Sequence, residues 1–215
     1  MKNTGFLLKV VVALAALPML SMALANQSAA GVYAIHPAAD AYVDSQHPDT
    51  NYGGDTQLYV VYAPDYLGSP LAQRSYLKFD LSVMPQGSTI TSAKLYLYVT
   101  SNSGHPPPNT NLYQVGNDWT ATGITWNSQP PTGKYLASKD FMFWGEYYAW
   151  NLFESGLWDP KQDISENTLS LMIRLANQTA DYAGYSFNSS NSGTNIPYLE
   201  VNTADAVPAA SLLLQ

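Results

Sequence analysis

The chain has 215 residues, 16 acidic against 9 basic side chains, a net charge of −7 and no cysteine. The acidic balance argues against nucleic acid and anionic lipid as partners. The length fits one domain, with two small ones as the alternative, and the missing cysteines exclude a disulfide framework, leaving stability to the sheet core with or without a bound ion.

Residues 1–25 read as a cleavable signal peptide. Lys2 and Lys9 make a basic start, Val10 to Met22 is apolar but short for a bilayer span, and Ala23-Leu24-Ala25 supplies a small-x-small site. The alternative is an uncleaved anchor. Cleavage leaves a mature chain starting at Asn26 with a net charge of −9 and no stable membrane span. Residues 26–37 follow as an extended arm, 38–202 as the folded domain, and 203–215 as a poorly ordered tail that loses the pattern.

Strand patterns then run the length of the domain. Val32 to Val43 holds one or two strands, and Gln57 to Tyr62 another. Ser75 to Leu81 places Leu77, Phe79 and Leu81 on one face and Tyr76, Lys78 and Asp80 on the other. Ala93 to Val99 buries Ala93, Leu95, Leu97 and Val99 and turns Lys94, Tyr96 and Tyr98 outward. Asn111–Val115, Ile124–Trp126, Tyr147–Phe153, Thr168–Leu175, Tyr182–Asn188 and Tyr198–Val201 complete the set. No helix of ordinary length is expected. Eight to ten strands with Pro, Gly, Asn and Ser turns predict an all-β fold, a sandwich or barrel.

Several of these segments resemble a known family. They are Ala39-Asp-Ala-Tyr-Val43, Asn51-Tyr-Gly53, Arg74-Ser-Tyr-Leu-Lys-Phe-Asp-Leu81, Ile90-Thr-Ser-Ala-Lys-Leu-Tyr-Leu-Tyr98, Trp119 with Ile124-Thr-Trp-Asn127, and Pro197-Tyr-Leu-Glu-Val201. Together they are similar to the DNRLRE-domain family, which overlaps the family 96 carbohydrate-binding modules. The resemblance implies a jelly-roll β-sandwich of two antiparallel sheets, found on secreted or cell-surface proteins, with calcium commonly bound. It also implies binding of polysaccharide without catalysis.

The residues offer sites of three kinds. Asp40, Asp44, Asp49, Asn51 and Asp55 form a loop rich in hard oxygens suited to calcium. Asp and Asn beside Gly also make ordinary solvated turns. Tyr76, Lys78, Tyr96 and Tyr98 form one outward stripe for sugar. Phe141 to Trp150 holds more rings than one face can bury, so Trp144 or Tyr147 is expected outside as a second sugar surface. Packing under loops is the alternative for both. Trp126 is expected to plug the space between sheets, with a ligand platform as its alternative, and Trp119 is expected in the core.

Val32, Tyr33 and Ile35 suit a second function, in which the arm adds as a strand to an identical subunit and builds a filament or matrix. Asn26, Asn177 and Asn188 match glycosylation acceptors, meaningful only in an organism that modifies them. An enzyme is not expected. Glu146, Glu154, Glu166 and Glu200 are scattered, and no nucleophile elbow, His-Glu-x-x-His or P-loop occurs.

Overall fold

A computed structural model describes residues 30–66, 68–85, 88–104, 107–140, 142–178 and 182–204. The signal segment, Asn26 and the tail from residue 205 lie outside them. Eleven strands run in chain order: β1 Gly31–Ile35, β2 Pro37–Asp44, β3 Gln57–Tyr66, β4 Ser69–Asp80, β5 Thr89–Ser103, β6 Thr110–Val115, β7 Lys134–Lys139, β8 Tyr147–Asn151, β9 Thr168–Leu175, β10 Ala183–Asn188 and β11 Tyr198–Ala204. All pairings between them are antiparallel.

They join along one path, β1-β11-β5-β10-β3-β4-β9-β6-β7, with β2 beside β4 and β8 beside β5. The 15-residue β5 is the corner. Residues up to Tyr98 pair with β11 and β8, and Val99 to Ser103 pair with β10 across a register shift. The all-β expectation holds, and the antiparallel sheet curls on itself around the core.

That core is made by alternation. Ala93, Leu95, Leu97 and Val99 of β5 join Leu77 and Phe79 of β4, Leu169, Leu171 and Ile173 of β9, and Leu199 and Val201 of β11. Trp150 closes it. Its ring meets Phe187 edge-on at 6.0 Å, and its Nε1 donates to Thr110 Oγ1 at 3.2 Å, linking β8 to β10 and β6 across the interior. A buried indole with its N–H satisfied adds area without leaving a polar orphan.

The one α-helix among the described residues, α1 Pro160–Glu166, is a single capped segment. Asp159 accepts from the Lys161 N–H, Pro160 needs no N–H there, and Asn167 ends it in the left-handed region at φ 54°. The segment Ile124–Trp126, expected as a strand, is instead part of consecutive turns. The strand β7 was not anticipated, because Lys134–Lys139 lacks alternation.

Candidate functional site

The outward faces of β5, β8 and β11 build an aromatic corner. Strand pairing sets Tyr198 opposite Tyr96 and Tyr98 opposite Tyr147. Tyr96 and Tyr198 stack at 4.6 Å with 6° between planes. Tyr147 stands across them, at 69° to Tyr198 and 75° to Tyr98. The stacked pair is a plate and Tyr147 a wall. Trp144, in the turn before β8, is 71% exposed, and Tyr147 is 37% exposed. His36 Nδ1 lies 2.9 Å from the Pro197 carbonyl and its ring meets Tyr198 edge-on.

Polar groups line the same face. Glu200 pairs with Lys94, and Lys94 with Asn151, one row along from the rings. Burial and then Glu200 push the Tyr96 hydroxyl up; burial, Tyr96 and Glu200 do so for Tyr198. Burial and the neighbouring tyrosines raise Tyr147. These phenols therefore stay neutral at ordinary pH and keep a proton to donate. Tyr147 already donates to the Ile196 carbonyl at 3.1 Å.

The expected single stripe divides. Tyr96 and Tyr98 belong to this corner, but Tyr76 and Lys78 lie on β4 beneath the 117–130 loop. Tyr76 is fully buried in a second, smaller core with Ala41, Val43, Tyr113, Val115, Trp119, Ile124 and Met172. Its hydroxyl donates to Gln129 Oε1 at 2.8 Å. Lys78 donates to the carbonyls of Asn117 and Trp119, its ammonium over the Trp119 ring. Tyr76 thus presents no sugar-binding surface. Trp119 is buried as expected, whereas the half-buried Trp126 packs on the outside of the sheet instead of between its layers.

The oxygen-rich loop is spent on internal bonds. Asp40 accepts from the N–H and hydroxyl of Ser190 at 2.7 and 2.9 Å, and burial holds its carboxyl above the usual range. Asp44 accepts from Gln46 N and Gln73 Nε2, and Asp49 from Asn127 Nδ2. Asn51 donates to the carbonyls of Ala121 and Ile124 at 2.6 and 2.7 Å. The Asp55 carbonyl accepts from Ser189 and Asn191. Calcium needs 6–8 converging oxygens, whereas Asp40, Asp44, Asp49 and Asn51 are each bonded to different partners. Among the described residues, no group of three or more His, Cys, Asp or Glu is placed to hold a metal ion. The residues do not fit the expected calcium shell.

The described part of the N-terminal arm is engaged within its own chain. Val32, Tyr33 and Ile35 sit in β1, paired with Asn202, Val201 and Leu199 of β11. Ile35 is buried, while Val32 is 72% exposed. Of the glycosylation candidates, Asn177 is exposed and Asn188 donates its amide to the carbonyls of Thr194 and Asn195. Sequence reasoning missed Tyr198 and His36. The signal for Tyr198 lay in its alternation with Leu199 and Val201.

Residues 32–203 match carbohydrate-binding module family 96, so the chain belongs to that family. This is a class of binding modules, usually non-catalytic, whose ligand by its name is carbohydrate. A comparison with curated proteins finds no match. No described helix is long and apolar enough to cross a membrane.

Proposed function

We propose that this chain is a secreted, non-catalytic module that holds an extracellular or cell-surface polysaccharide in the tyrosine corner of β5, β8 and β11. The observation that carries this reading is the contact chain Tyr96–Tyr198–Tyr147–Tyr98, four rings from three strands on one half-exposed face. Tyrosine rings cover the C–H faces of a sugar, while hydroxyl, amide and charged groups bond its hydroxyls. Lys94, Asn151 and Glu200 supply those groups beside the rings. Placement on strands rather than loops keeps the rings preorganised, which lowers the entropy cost of binding. The basic–apolar–small leader at 1–25 supports export.

Native electrophoresis through gels containing a panel of polysaccharides tests the reading. Wild type should be retarded by at least one polymer, and the variant Tyr96→Ala/Tyr198→Ala should migrate as in a polymer-free gel. A folded double variant retarded like wild type would reject the corner as the site.

A further inference from the structure

The outer face of β5 does not end at the tyrosine corner. A register shift in the β5–β10 pairing sets Val99 opposite Phe187 and Ser101 opposite Ser186, so Thr100 is an extra residue in the ladder. Val99 and Phe187 are buried in the core. Ser101 and Ser186 turn to the opposite side, where Ser101 Oγ donates to Ser186 Oγ at 2.9 Å. The bulge therefore passes the outward side from Tyr96 and Tyr98 to Ser101 and Ser103.

These serines line a cavity of about 360 Å³ over β3, β4 and β10. Its rings are Tyr42, Tyr59 and the 54% exposed Tyr182. Tyr42 and Tyr59 meet edge-on at 4.9 Å. Gln73 adds an amide, anchored through Nε2 on Asp44 Oδ2 at 2.9 Å. No charged side chain is among the described residues that line it. Burial, with Asp55 next, raises the hydroxyls of Tyr42 and Tyr59, so both keep their protons at ordinary pH. Polar bonds run from this groove toward the corner. The Tyr59 hydroxyl donates to Gln57 Oε1 at 2.8 Å, and Gln57 Nε2 donates to Thr100 Oγ1 at 3.3 Å, two residues along β5 from Tyr98.

We propose that this groove is a second saccharide site, taking uncharged sugar units of a polymer whose other units lie on the tyrosine corner. Rings, hydroxyls and an amide match the C–H faces and hydroxyls of a neutral sugar. A carboxylate or sulfate buried against such a lining would lose its hydration with no cation to replace it. Tyr96 and Ser103 are seven residues apart on β5, about 23 Å at strand rise, so the polymer is held along an internal stretch. Once one place is engaged, contact at the other is intramolecular and strengthens the whole. The inference rests on the polysaccharide-binding reading and extends it to a site on other strands.

Affinity electrophoresis with glucomannan, laminarin and dextran as neutral polymers, and polygalacturonate as the anionic control, tests it. Tyr182→Ala removes an exposed ring, and Ser101→Trp obstructs the groove from an exposed position. Tyr182→Ala should weaken binding of the retained neutral polymer by about three- to tenfold, and Ser101→Trp by about tenfold or more. Neither should change migration in polygalacturonate. Thermal melts establish that both variants are folded. Wild type should also bind a hexasaccharide of the retained polymer about tenfold or more tighter than its disaccharide, and each variant should narrow that ratio. Wild type retained by none of the neutral polymers overturns the groove, as do folded variants that bind the neutral polymer like wild type. A wild-type ratio near one overturns the shared chain. Tyr96→Ala/Tyr198→Ala, run alongside, separates the readings: failure of the corner leaves loss in the groove variants alone, and failure of the groove leaves loss in the corner variant alone.

Discussion

Tyr96 and Tyr198 are directly opposed across β5 and β11, and their rings lie 4.6 Å apart and nearly parallel. Each covers one face of the other, and both rings stay half-exposed. Tyr147, turned 69° to Tyr198, closes the angle. The corner therefore sets a stacked pair beside an upright ring, the geometry on which the proposed sugar contact rests.

The ring, more than the hydroxyl, should carry affinity at Tyr198. Tyr198→Phe is expected to keep most of the polysaccharide binding, while Tyr198→Ala loses about 1–3 kcal/mol, the range of a well-placed aromatic contact. Gel retardation as a function of polymer concentration measures both. Equal loss in the two variants would instead assign the affinity to the hydroxyl.

Gly53 should tolerate no side chain. A Cβ there would lie 2.0 Å from the Ala121 carbonyl oxygen, the atom that Asn51 holds, whereas one at Gly54 meets nothing within 4 Å. Gly53→Ala is expected to cost on the order of 1–3 kcal/mol, and Gly54→Ala close to nothing. Thermal melts of the pair decide this, at about 2–4 °C per kcal/mol for a chain of this size. Matching melting temperatures would show that the loop moves aside freely.

Asp163 gives stability a pH dependence of unusual sign. Burial pushes its carboxyl to about 6, against 3.8 ordinarily, despite bonds from Trp158 Nε1 and Gln114 Nε2. The folded state thus holds a proton that the unfolded state releases, so this group's contribution falls as pH rises from about 4 to about 6. Asp163→Asn removes that term. Comparing melts at pH 5 and pH 7, wild type should gain more at the lower pH than the variant does. Parallel pH profiles would refute the assignment.

Deleting Asn26–His36 should destabilise an isolated subunit. The deletion strips β1 from β11, exposes the core at Ile35 and removes the Gly31 N–H to Thr203 Oγ1 bond of 3.0 Å. Losing one buried aliphatic side chain alone is worth about 1.5–3 kcal/mol. Size-exclusion chromatography and a melt of the truncated chain check this. An unchanged melt, with polymers present only in the full-length protein, would return the arm to the filament role.

Alternation made most strands legible before any coordinates. Thr168–Leu175 is β9 from end to end, and the buried sets of β4 and β5 fall where period two places them. The fate of the outward residues was not legible. Tyr76 and Tyr96 have the same local pattern, yet one is sealed and the other half-exposed. The difference is the 117–130 loop, a run of turns with no period to read. The acidic loop failed for a related reason. Its partners are distant in sequence, Ser190 for Asp40 and Ala121 for Asn51, so the composition suited an ion while the fold used the same groups as staples.

One strand, β5, belongs to both halves of the curled sheet. Its first part carries Tyr96 and Tyr98, and its last residues are hydrogen-bonded into the half that holds β3 and β4. A pull on a polymer lodged against Tyr96 therefore loads a continuous covalent backbone as well as the contacts between packed faces. A load on β5 is shared by the antiparallel ladders on both of its sides. For a small module without disulfides, that is a mechanical anchor made from chain connectivity.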